Sequence, residues 1–71
     1  MNQAEASVAA DRAMQHYDTA QELFAQAKAM PATTPEWDQL MEQGSAELAA
    51  GAALGDQYRA WRREQYAAVN G

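Results

Sequence analysis

The chain has 71 residues, no cysteine, a single histidine, and ten acidic against five basic side chains, for a formal charge of −5. A domain this short buries only about 60% of the surface its unfolded chain exposes; disulfides and thiolate ligands are absent and His16 alone cannot build a zinc site, so self-association or a partner is the aid that remains. The acidic balance repels phosphate backbones and counts against nucleic-acid binding, and no apolar run reaches the roughly 18 residues of a membrane span.

Met1 to Glu5 show neither a basic nor an apolar leader segment, and the lack of cysteine fits a reducing compartment, so a cytoplasmic location is expected. Residues 1–71 are expected to form one domain.

From residue 2 to 29 there is no Gly or Pro, and Ala, Gln, Glu and Met dominate, which is strong helix material. Ala6, Ala10, Ala13, Tyr17, Ala20, Phe24 and Ala27 follow steps of four and three. They form an a/d stripe with Ala10, Tyr17 and Phe24 at a and alanine at every d. Asp11, Arg12, Gln15, Asp18, Glu22 and Gln26 fall on the far side as a solvated face. The spacing predicts a first helix over about 2–29, and its alanines predict a seam that a second helix approaches closely.

Met30-Pro31-Ala32-Thr33-Thr34-Pro35 is the one strong break. Pro31 disfavours helical geometry at Met30 and so ends the first helix. Thr34 reads as a cap, Pro35 as the first helical residue, and Glu36 and Asp38 as acids that complement the positive helix end. A turn this short makes the flanking helices neighbours of opposite direction.

The second helix is predicted over about 35–69. Trp37, Leu40/Met41, Gly44, Leu48, Gly51, Leu54/Gly55, Tyr58 and Trp61/Arg62 keep helical phase. Three internal glycines cost about 1 kcal/mol each relative to alanine. They admit a second reading, a three-helix bundle with a break near Gly55. The unbroken phase favours one continuous helix and therefore an all-α, antiparallel helical hairpin.

Folding the chain back at 31–34 makes facing residues sum to roughly 65. Ala20 is then expected against Gly44, Ala13 against Gly51, Ala10 against Gly55, Tyr17 against Leu48, and Phe24 against Leu40 and Met41. The glycines become close-contact positions. Ala13, Tyr17, Ala20, Phe24, Gly44, Leu48 and Gly51 are the predicted helix seam.

Little in the chain supports catalysis. Ser7 and Ser45 fall away from His16 in this register, so no nucleophile is next to a base. The residue three before His16 is Ala13, which removes the Glu-x-x-His pattern of helical di-metal sites. Gly51-x-x-x-Gly55 lies inside a helix rather than after a strand, as a phosphate loop would require. No catalytic residue, metal or cofactor is expected.

The predicted second helix outruns the first after about residue 61. Tyr58, Arg59, Trp61, Arg62, Arg63 and Tyr66 gather there, the residue types enriched at interface hot spots. They are the candidate partner-binding residues, although arginines near a helix C-terminus also complement its dipole.

Two helices around Pro31-Ala32-Thr33-Thr34-Pro35 resemble the layout of the needle subunits of type III secretion systems. Their Pro-x-x-Pro turn is one residue shorter, and their C-terminal segment is unlike Gln65-Tyr66-Ala67-Ala68-Val69-Asn70-Gly71. What the resemblance implies is a subunit that assembles through heterologous contacts into a filament.

The residues themselves imply a small non-enzymatic protein-interaction module of bacterial or phage type, an adaptor, chaperone-like or inhibitor hairpin. A single hairpin is not expected to cover Val8, Met14, Leu23, Met30, Met41, Leu54 and Trp61 together. A homodimer paired into a four-helix bundle is therefore expected, with a protein partner of unknown identity on the same surface as the alternative.

Overall fold

The computed structural model describes residues 1–70. It contains two helices packed on each other as a hairpin, α1 (Gln3–Lys28) and α2 (Pro35–Asn70). The molecule is a rod of 55 × 17 × 13 Å.

The start of α1 is fixed by a reciprocal cap. The Glu5 amide donates to Asn2 Oδ1 at 2.8 Å, and the Asn2 amide donates to Glu5 Oε1 at 2.9 Å. Two otherwise unpaired helix-end donors are thereby satisfied. At the other end Ala29 closes the helix, its amide donating to the Gln26 carbonyl and the Met30 amide to that of Ala27, both at 3.2 Å, just before Pro31.

The turn works through Thr34. Its hydroxyl donates to the Pro31 carbonyl at 2.9 Å and accepts from the Trp37 amide at 3.2 Å, while Pro35 opens α2. Glu36 and Asp38 occupy the first turn of α2 as expected.

α2 runs unbroken through Gly44, Gly51 and Gly55. The three-helix alternative with a break near Gly55 is thereby overturned. A glycine removes a side chain but keeps its backbone N–H, so the ladder of hydrogen bonds continues if packing offsets the entropic cost.

The packing is unusual in its materials. The buried apolar residues are Ala6, Ala9, Ala13, Ala20 and Ala27 from α1. Gly44 and Gly51 are buried on α2. All four d-position alanines of the predicted stripe are therefore interior. Ala9 is also buried, whereas its neighbour Ala10, which the stripe had included, is only half-buried.

Larger side chains lean in from the flanks. A Cβ placed at Gly44 would meet three ring carbons of Phe24 at 2.5, 2.8 and 2.9 Å. One placed at Gly51 would meet the Tyr17 ring at 2.9 and 3.1 Å and the Ala13 carbonyl oxygen at 3.2 Å. The expected approach of Ala13 to Gly51 is present, but each glycine also receives an aromatic ring. At Gly55, where Ala10 was expected, the three heavy atoms nearest a Cβ belong to Arg59 of the same helix, at 3.4–3.8 Å.

Candidate functional site

At about 1.5 Å per residue the 26 residues of α1 span roughly 39 Å and the 36 of α2 roughly 54 Å. α2 therefore extends well past the first turn of α1. Tyr58 and Trp61 are the last half-buried residues, and every residue from Arg62 to Val69 is exposed.

This tip has internal order. The Tyr58 and Trp61 rings lie 6.1 Å apart between centroids, tilted by 36°. The Arg62 guanidinium sits 5.9 Å from the Tyr58 ring centroid, within the range of a cation–π contact. Arg59 forms an ion pair with Asp56, one residue beyond Gly55. Trp61, Arg62, Gln65, Tyr66 and Val69 line one open, largely apolar depression along the helix. Tyr66 is 73% and Val69 84% exposed.

The structure thus gathers all six candidate partner-binding residues in one segment. It adds Gln65 and Val69 to them, each seven residues after a member of the stripe, Tyr58 and Arg62, and so in phase with it. Among the predicted seam residues, Ala13, Ala20, Gly44 and Gly51 are buried and Phe24 is half-buried. Tyr17 and Leu48 lie at the seam's edge, 37% and 41% exposed.

A polar contact crosses the seam. His16 Nδ1 lies 2.5 Å from Glu47 Oε2, both side chains about one-third exposed. The two residues stand 31 apart in the chain, and only the hairpin brings them together.

Among the described residues no polar side chain is buried, no three His, Cys, Asp or Glu stand close enough to hold a metal ion, and no helix is long and apolar enough to cross a membrane. Compared with known proteins, the chain matches no family model, no curated protein and no solved structure.

Proposed function

We propose that the chain is a non-enzymatic protein-interaction module, an adaptor, chaperone-like or inhibitor hairpin of bacterial or phage type. It works in the cytoplasm as a homodimer and takes a protein partner on the outer part of α2. The observation that carries this reading is the segment from Trp61 to Val69. It continues the seam stripe of α2 past the first turn of α1, and it exposes Tyr66 and Val69 beside Trp61 and Arg62. A helix face that repeats the pattern of a packed seam is shaped to receive a further element. Among the described residues the interior is built from alanine and glycine and encloses no polar side chain.

The test is comparative capture from lysate of the source organism. The intact chain and the variants Trp61→Ala, Tyr66→Ala and Val69→Asp are immobilised and the bound proteins read by mass spectrometry. A protein held by the intact chain and lost with the variants is expected, since truncating a hot spot weakens binding by about 30-fold or more. Indistinguishable captures would overturn the reading.

A second reading, a subunit of a helical filament, is favoured by the charge layout. Residues 58–69 carry three arginines against Glu64, a balance of +2, while the remaining residues carry two basic and nine acidic side chains, −7, together the chain's −5. A positive tip and a negative body complement each other head to tail. Light scattering across a concentration series separates the two: the module holds a fixed mass and the filament subunit grows.

A further inference from the structure

His16 and Glu47 mark one flank of the seam. Tyr17 and Leu48, the residues after them, lie about 100° further round their helices. Tyr17 meets Gly51 and Phe24 meets Gly44, so contacts descend along α2 as they ascend along α1. With that opposite sense, both rotations lead to the same second flank.

On this flank the large apolar side chains stay open. Met14 is 65% exposed, Leu48 41% and Tyr17 37%. Its central line also holds no carboxylate, Asp56 standing at its margin in an ion pair with Arg59. On α1 its stripe runs in steps of three and four from Ser7 through Met14 and Tyr17 to Lys28. On α2 it runs in steps of four and three from Met41 through Leu48 to Tyr66. Neither stripe meets an Asp or Glu, although the chain holds ten. A strongly acidic rod that keeps the central line of one long face clear of carboxylates, with methionine, tyrosine and leucine exposed on it, has the composition of a surface that is covered in use.

We infer that a second copy of this chain covers the face, running in the opposite direction about a two-fold axis that passes between Met14 and Tyr17. The inference rests on the homodimer proposed above. Two-fold closure makes facing α1 residues sum to about 31, which sets Met14 beside the second copy's Tyr17. The contact of His16 with Glu47 and of Tyr17 with Gly51 puts the same level of α2 near residue 50. Facing α2 residues then sum to about 100. Arg59 falls beside the second copy's Met41, and Arg62 and Arg63 fall beside its Trp37 and Asp38. The basic end of one rod thereby meets the first turn of α2 in the other, where Glu36 and Asp38 supply the opposite charge and Trp37 a ring for a guanidinium. This complementarity selects a second copy over another occupant, and it exists only when the rods run in opposite directions.

The test combines mass and proximity. Light scattering coupled to size exclusion should give a dimer for the unmodified chain. Leu48→Glu, which places a carboxylate on the face, should raise the dimer dissociation constant at least about tenfold while the far-UV spectrum stays helical. Ala49→Glu, the same change on the outer side of α2, should leave the dimer unchanged. Because the chain has no cysteine, single-cysteine variants report orientation through a short bismaleimide linker. Met41→Cys mixed with Arg59→Cys should cross-link between copies, and Met41→Cys mixed with Lys28→Cys should not. A monomer mass for the unmodified chain would overturn the pairing itself. A dimer indifferent to Leu48→Glu would overturn the face, and the reverse cross-linking pattern the direction. None of these changes touches Trp61 to Val69, so partner capture by the tip is judged separately.

Discussion

The seam of this hairpin is governed by what is missing from it at two positions. The Phe24 ring occupies the space a Cβ would take at Gly44, with three carbons inside 3 Å. In an open helix Gly→Ala stabilises by about 1 kcal/mol. Here overpacking opposes that gain, and Gly44→Ala should lower stability by about 1–2 kcal/mol net. In a Phe24→Ala background the sign should reverse, because the ring is gone and only the helix preference remains. Chemical denaturation of the four-member mutant cycle checks this; the same sign in both backgrounds would show that the ring does not fill the glycine's space. Gly51→Leu and Ala13→Leu should each destabilise by about 1–3 kcal/mol for the same reason, since the Ala13 carbonyl oxygen stands 3.2 Å from where a Gly51 Cβ would lie. At this scale sequence reading went only part of the way. The heptad of Ala6, Ala13, Ala20 and Ala27 named the buried line, because a period of 3.5 residues identifies a face. It did not reveal that the rings of Tyr17 and Phe24 would settle over Gly51 and Gly44. Period fixes which side of a helix is inward, whereas the reach of a ring is set by its rotamer and its neighbours.

Each helix is framed by end signals of different visibility. Thr34-Pro35-Glu36 announces the start of α2 openly, and the structure uses Thr34 as both hydroxyl donor and acceptor. Asn2 and Glu5 carry the same information for α1, with the three-residue spacing of a capping box. The apolar run that usually follows such a box is replaced here by alanines and polar residues, which weakened the signal. Asn2→Ala and Thr34→Ala should each cost about 1 kcal/mol, read as a drop in melting temperature. No loss from Thr34→Ala would mean that Pro35 alone fixes the start of α2. The continuity of α2 was the harder question, since three glycines in one helix resemble stop signals. Phase decided it: Trp37, Gly44, Gly51 and Tyr58 recur every seven residues, a regularity that restarted helices have no reason to share. His16 and Glu47 add little to the hairpin's strength, because a partly exposed pair contributes about 0–1 kcal/mol. The pair marks which flank of α1 meets which flank of α2.

As a whole the molecule is a rod with a paired portion and an unpaired one, and the division makes a prediction about what can be removed. Helix stability comes chiefly from packing of a face rather than from intrinsic preference. Residues 64–69 are exposed and lie at and beyond the first turn of α1, so they contribute little to the hairpin. A chain shortened to end at Arg63 should keep the melting temperature of the paired portion, with a change in stability of no more than about 0.5 kcal/mol. In the proposed dimer it retains Met14, Tyr17 and Leu48 on the pairing face and Arg59, Arg62 and Arg63 opposite the second copy's Trp37, so its mass by light scattering should remain that of the dimer. What it loses is Gln65, Tyr66 and Val69, most of the open depression beside Trp61. Partner capture should fall with them while fold and dimer persist. The length difference between α1 and α2 is what makes the experiment decisive, since a segment that held the hairpin together could not be removed without melting it. A marked fall in melting temperature on shortening would assign these residues to stability. An unchanged melting temperature with unchanged capture would place the binding surface elsewhere on the rod.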